Sequence, residues 1–496
     1  VNPLLLKTTQ DSPAASWQDR LYALTSKPAA STHAPMKPSV VYEASTPAPD
    51  PTYGGAATAT VDPSSDDALA ALMARNSASS QPAGLFAGLG QALLGRFATD
   101  GANFVSDAPG TGSADASISL GIRTASGATV KLSLSGTQSG LSVSLTSDRT
   151  LTDSEKQAVA GLARAFQDAV DGLGKQPPTL SLDGLMSADP SVLTSVDLNA
   201  SIATAPGVHE SIALHTGSDS RSLKVDGAGG SIALDLDMSN PATWGNRAQR
   251  DASVASYLDQ IDAAARRGHA DASLVSLFKD GFSQLNSNYP PSPSDAATRA
   301  SVRGLSGNDH ALLTGLADFD VSISQATQAS NPRQGSELDT FNYDASQSTT
   351  LSGRNASDRH IAQSQTSHLT ASFHTSPWPD TPLNLTDKLG SQNYNYTTID
   401  DSAHASTNIA YAKGKLITAS VSHDASQDTH VLKYMVGQLV DDTDTPAHQE
   451  ATRDLLPLLT ENARHPGSAA DQANAADVLH AYSKLQADPS RLGPRG

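Results

Sequence analysis

The sequence predicts an α+β protein built on one large twisted antiparallel sheet with helices on one face. Three observations carry that reading. Apolar residues alternate with Ser and Thr over short runs from Ile118 onward. Capped helical stripes are interleaved with those runs. The same order of runs, helix and closing run then recurs further along the chain.

Residues 1–110 are rich in Pro, Ala, Ser and Thr, and such a segment buries too little apolar surface to offset the entropy of ordering. A disordered tail is expected there, interrupted by two helical islands. In the first, Ser65 is the N-cap, Asp66 and Asp67 fill the first turn, and Leu69, Leu72 and Met73 share a face. In the second, Leu85, Phe86, Leu89, Leu93 and Phe97 fall at helical spacing. Either island suits docking onto a partner or folding back onto the body.

Residues 111–205 read as a first module. Ile118, Leu120 and Ile122, then Val130, Leu132 and Leu134, then Leu141, Val143 and Leu145 form a three-stranded meander. Thr152 and Glu155 have capping-box spacing ahead of a stripe of Val159, Leu162, Phe166, Val170 and Leu173, which Gly174 and Pro177-Pro178 stop. Asp189-Pro190 opens one helical turn before a strand at Val196 to Ile202.

Residues 206–330 repeat that order with extra helix. The meander carries Ile212, Leu214, Leu223, Val225, Ile232, Leu234 and Leu236, and the helices carry Val254, Leu258 and Ile261, then Leu274, Leu277, Phe278 and Phe282. Phe166, Asp168 and Val170 correspond to Phe278, Asp280 and Phe282, and "GLMSADPSVLTSVDLNASI" to "GLSGNDHALLTGLADFDVSI". We read this as a duplicated module, repeated in turns, caps and core positions rather than in groups that do chemistry.

Residues 331–425 continue as longer, more polar strands, with Leu369, Ala371 and Phe373 on one face and Ile409, Tyr411, Ile417, Ala419 and Val421 on another. Residues 426–496 are expected to be helical: Val431, Leu432, Met435 and Leu439 stripe a first helix, Leu455, Leu456 and Leu459 a second that Pro457 breaks, and Val478, Leu479, Tyr482 and Leu485 a third.

Composition narrows the function classes. The net charge of −18 without a basic cluster opposes nucleic-acid binding. The absence of Cys removes disulfides, thiolate nucleophiles and Cys-ligated metals. "VNPLLLKTTQDS" lacks the basic and apolar regions of a Sec signal, and no window is apolar enough for a spanning helix, so a cytoplasmic place or a non-Sec export route is expected.

Phosphate-binding loops, nucleophile elbows and calcium-binding loops are missing, and no cofactor is expected. "HESIALH" at 209–215 begins like a zinc-protease motif, but its second His comes two residues late on an alternating strand. Nine of the 14 histidines lie between 360 and 480. Among them His368, His374, His404 and His423 form a candidate polar or metal site on neighbouring strands, weighed against an ordinary solvated face. Asp235 and Asp237 line one strand face, as a carboxylate pair for a cation or as a solvated edge.

The reading that follows is a non-enzymatic bacterial protein, exported or surface-associated, that meets a protein partner through a sheet surface, a sheet edge or the N-terminal islands. Two alternatives stand beside it: a hydrolase or metal-dependent enzyme with its site on strands 360–423, and a carrier of an apolar ligand between sheet and helices. The sequence leaves the oligomeric state open.

Overall fold

The computed structural model describes residues 59–60, 68–79, 81–110, 115–137, 139–173, 175, 179–205, 208–290, 301–464 and 468–493. The expected disorder of the first residues, the Ser65 cap and the Gly174 and Pro177-Pro178 stops lie outside them.

A single sheet organises the chain. Its strands are β1 (Ala59–Thr60), β2 (Phe104–Pro109), β3 (Ala116–Thr124), β4 (Thr129–Thr137), β5 (Gly140–Ser147), β6 (Leu193–Ala205), β7 (Val208–Gly217), β8 (Ser220–Gly227), β9 (Gly230–Asp237) and β10 (Asp318–Gln325). Five longer ones follow: β11 (Thr340–Asn355), β12 (Asp358–Thr375), β13 (Tyr394–Ala412), β14 (Lys415–Met435) and β15 (Gln438–Asp454). Their order is β1-β2-β5-β4-β3-β6-β7-β8-β9-β10-β11-β12-β13-β14-β15, antiparallel throughout except for the two-residue β1, which runs parallel to β2.

The helices are α1 (Ala68–Asn76), α2 (Pro82–Leu85), α3 (Leu89–Asp100), α4 (Asp153–Gly161), α5 (Ala163–Leu173), α6 (Asp183–Met186), α7 (Arg247–Gly268), α8 (Ala272–Leu285), α9 (Gly307–Ala311), α10 (Leu456–Arg464) and α11 (Ala469–Ser483). Period-two alternation gives the sheet one apolar face, and the helices pack on it. Ile118, Leu120, Leu132, Leu198, Leu223, Leu234 and Val321 meet Phe97, Phe166, Phe278 and Phe282 in one continuous core. The islands join it: Leu69, Met73, Phe86, Leu89, Leu93 and Phe97 are buried, so the body begins well before residue 110. The Thr152–Glu155 capping box has both of its bonds, and hydrogen bonds from Ser126 and the cap lower the Glu155 carboxyl to about 2.

The element order of the two central segments recurs, but the closing strands pair differently. β6 returns beside β3, the first strand of its meander, whereas β10 docks beside β9, the last of its own. A four-residue helix lies at Asp183–Met186, and the single turn expected after Asp189 also forms: the Asp189 side chain accepts from Ser191 N at 2.8 Å, and its carbonyl accepts from Val192 N at 3.1 Å and Leu193 N at 2.8 Å.

Three expectations for the C-terminal third need correction. Residues 426–454 are strand, not helix: Val436 and Gly437 take positive φ in a tight turn that sends β15 back along β14. Pro457 opens α10 at its first turn instead of breaking it, where its missing N–H costs nothing. Ile417 leaves its expected apolar face and is half exposed, as the unpaired residue of a β-bulge opposite Ala410 and Tyr411.

On the helix side of the long strands the core turns polar. Tyr257 donates to Gln365 at 2.9 Å, Thr314 N to Gln363 Oε1 at 3.0 Å and Thr314 Oγ1 to Gln347 Oε1 at 2.7 Å. Deeper still, Arg359 pairs with Asp309, and Tyr411 donates to the same carboxylate at 2.9 Å. β15 is exposed on both faces except at Ala451, which packs against the core, and Pro446 sits in its middle. No helix among the described residues is long and apolar enough to cross a membrane.

Candidate functional site

The second face of the long strands carries no described helix, and its composition follows from parity. In β12, β13 and β14 the even-numbered residues point away from the core, as the pairings His368↔Ser402↔Ser426 and Thr366↔His404↔Asp424 show. Through the middle of these strands those positions are mostly Ser, Thr, Asn, Asp and His, with Tyr394, Tyr396, Leu432 and Tyr434 gathered at one end, so strand formation rests on the buried odd-numbered face while the even-numbered one is free to be polar.

Cross-strand pairs of imidazole and carboxylate mark this face. His368 Nε2 lies 2.8 Å from Asp400 Oδ1, His430 Nε2 2.7 Å from Asp442 Oδ1, and His448 Nε2 2.9 Å from Asp424 Oδ2. His215 and Asp197 make the same contact at 2.6 Å on β7 and β6. All of these side chains are well exposed. Burial, the neighbouring Asp444 and the charge of Asp400 together raise the Asp428 carboxyl. In the body of β12 to β15, clear of the hairpin turns, no Lys or Arg points to this face. Its carboxylates are balanced by imidazoles alone.

The four candidate histidines do not converge. His368 and His404 are diagonal neighbours on the bare face, and His404 Nε2 lies 3.2 Å from Ser364 Oγ. His423 is on the opposite, helix-covered face, where it contacts the Tyr482 carbonyl at 2.9 Å and burial lowers its pKa.

His374 lies at the far end of the bare face, beneath the segment around Asn331 to Asp339. Its Nδ1 is 2.6 Å from Asp339 Oδ1 and its Nε2 3.2 Å from Glu337 Oε2, which also accepts from Tyr394 at 2.8 Å. Burial pulls this imidazole down, but the bonds and charges of the two carboxylates outweigh it and hold the pKa above the ordinary value. With both nitrogens engaged, His374 has none left to take a substrate proton. It acts as a clamp on the segment above.

Asp235 and Asp237 also face outward, directly across from Asp320 and Asp318. Burial raises the Asp235 carboxyl, Lys224 pulls it down, and Asp320 raises it further. Asp318 is already occupied by Thr349, whose amide and hydroxyl each donate to it at 2.7 Å.

A cleft of about 400 Å³ opens between α7, the helix side of β11 to β14 and the segment after α11. Its walls are charged: Arg267 binds Asp401 through two bonds of 2.5 and 2.8 Å and touches Thr429, while Asp259, Arg266 and Arg491 line the mouth.

Sequence reasoning missed Asp442, His448 and Glu450, because residues 426–496 read as helix, and it missed Asp424, at the end of the strand region, because its partners lie in that stretch. No family model, no curated protein and no solved structure matches this chain.

Proposed function

We propose that this chain is a non-enzymatic binding protein whose contact surface is the bare face of β12 to β15, and that its partner is a basic protein surface. One observation carries the reading: a broad face that bears no described helix and whose carboxylates, clear of the hairpin turns, have no Lys or Arg of these strands among them. Such a face attracts a basic partner at long range and discriminates against an acidic one. Extended β-strands hold the side chains in fixed rows, so little order has to be imposed on binding.

The edge of β15 is a poorer docking place. Pro446 and the run of Asp441, Asp442 and Asp444 are devices that keep another strand from adding there. Export or surface attachment by a non-Sec route, and the origin of the two central segments by duplication, belong to the same proposal. The first is tested by fractionating the native host.

The enzyme alternative has less support. The Ser364–His404 contact is exposed on the open face of the sheet, where both side chains stand in water. The apolar-carrier alternative meets a close-packed core, and the cleft beside α7 has charged walls.

The experiment is binding of the full chain to an immobilised Lys/Arg-rich peptide. Asp400→Asn, Asp424→Asn and Asp444→Asn combined are compared with Asp168→Asn, Asp251→Asn and Asp259→Asn on the helices. The two sets change net charge equally. The reading expects the first set alone to weaken binding and flatten its salt dependence. Equal effects from both would reduce the interaction to net charge and sink it.

A further inference from the structure

We propose that Asp424, His448 and Glu450 form a binding site for a divalent transition cation of the zinc type, at the outer corner of the bare face. His448 Nε2 lies 2.9 Å from Asp424 Oδ2 and 4.0 Å from Glu450 Oε1, and one donor atom from each residue falls within 4.8 Å of the other two. Zinc holds imidazole nitrogen and carboxylate oxygen at about 2.0–2.2 Å, which sets neighbouring ligands roughly 3.3 Å apart in a tetrahedron. Small side-chain rotations close the three donors to that spacing.

The strands preset this set. Asp424 and Glu450 are direct cross-strand partners, and His448 stands on the same face of β15, two residues before Glu450. On the other side Asp424 faces His404 of β13. Directly opposed residues stand about 4.5–5.5 Å apart at Cα, so His404 is placed to approach as a fourth donor if it turns away from Ser364, which it contacts at 3.2 Å.

Two β-bulges fix the row. One is Ile417 of β14, unpaired opposite Ala410 and Tyr411 of β13, and the other is Val440 of β15, unpaired opposite Lys433 and Tyr434 of β14. Each shifts its pairing by one residue, and without them His404 would oppose His423, and Glu450 would lie opposite His423 as well.

The charge of the face favours a cation independently of these distances. No Lys or Arg competes for the two carboxylates, so a divalent ion is the group that neutralises them. The imidazole selects the metal: calcium and magnesium take oxygen ligands, whereas a mixed imidazole–carboxylate set suits zinc and its neighbours. Binding needs the imidazole deprotonated and releases a proton at acid pH.

This inference goes beyond the partner reading and does not depend on it, since the titration involves no peptide. Zn²⁺ is titrated into the full chain by calorimetry at neutral pH, with excess Mg²⁺ present. Stoichiometric uptake is expected, weakened roughly tenfold or more by His448→Ala and by Asp424→Asn. His430→Ala, which removes an exposed imidazole of the same face outside the set, is expected to bind as the parent does. Circular dichroism checks that each variant is folded. No uptake by the parent, parent-like uptake by His448→Ala, or equal weakening by His430→Ala would overturn the site.

Discussion

Arg359 and Asp309 offer the sharpest test of how the long strands are held to the helical layer. Their side chains are 5% and 1% exposed. Besides the carboxylate, the guanidinium reaches the Gly304 carbonyl at 2.9 Å and the Ala356 carbonyl at 2.8 Å, and it stacks 4.4 Å over the Tyr411 ring. Asp309 closes the capping box of α9 by accepting from Ser306 N at 2.6 Å. Arg359→Met keeps most of the volume but leaves a carboxylate buried without its cation, at a cost of about 3–5 kcal/mol. Tyr411→Phe removes one hydrogen bond to a charged group, worth about 1.5–3 kcal/mol. Replacing both partners, Arg359→Met with Asp309→Leu, removes the stranded charge, so the double variant is expected to be more stable than Arg359→Met alone. Equilibrium guanidinium unfolding, read at the midpoint with the slope held common, measures all three. A loss below about 1 kcal/mol for Arg359→Met would refute the argument, because a buried unpaired carboxylate cannot be that cheap.

Two further predictions concern other parts of the fold. Because the folded-state pKa of His374 lies above its ordinary value, its stabilisation is complete below about pH 6.5 and is lost as pH rises through the folded value. The stability gap between the parent and His374→Gln is therefore expected to be largest at mildly acid pH and to shrink on the alkaline side; a gap independent of pH would contradict the clamp. A Cβ on Gly281 of α8 would sit 2.7 Å from Leu223 Cδ2 and 2.8 Å from Leu234 Cδ1, so Gly281→Ala is expected to cost about 1–3 kcal/mol in thermal unfolding. Gly229→Ala, with nothing within 4 Å, is the control and should stay within about 0.5 kcal/mol.

The sequence exposes most where one side of an element is buried. The alternation of Ile118 to Leu145 and the stripe of Phe278 and Phe282 are direct records of burial, and the elements stand where that pattern puts them. β15 leaves no such record, since it is exposed along nearly its whole length, only Ala451 packing against the core and Arg453 stacking on Tyr482, and no apolar period distinguishes it. Val431, Leu432 and Met435 then pass for a helical stripe although they lie along β14, whose partner strands supply the pairing that local spacing does not reveal. His423 was misplaced for a subtler reason. A two-residue turn at Lys413-Gly414 implies that it faces His404, and only the bulge at Ile417 moves it to the other side. One inserted residue thus decides which donors meet, and its effect is felt many residues from where it is written.

The strand order has a consequence for how the sheet can assemble. From β6 to β15 the order across the sheet is the order along the chain, so each new strand finds its template in the one just made. Most of these steps are local and add little loop-closure entropy, the long one being β9 to β10, where α7 to α9 intervene between Asp237 and Asp318. The exceptions are at the other end, where β6 must reach back to β3, and β2 must wait for β5. The β3–β6 and β9–β10 closures join the most distant parts of the chain, and those pairings are expected to form slowest. Once they are made, the remaining strands can be laid down in sequence as synthesis delivers them.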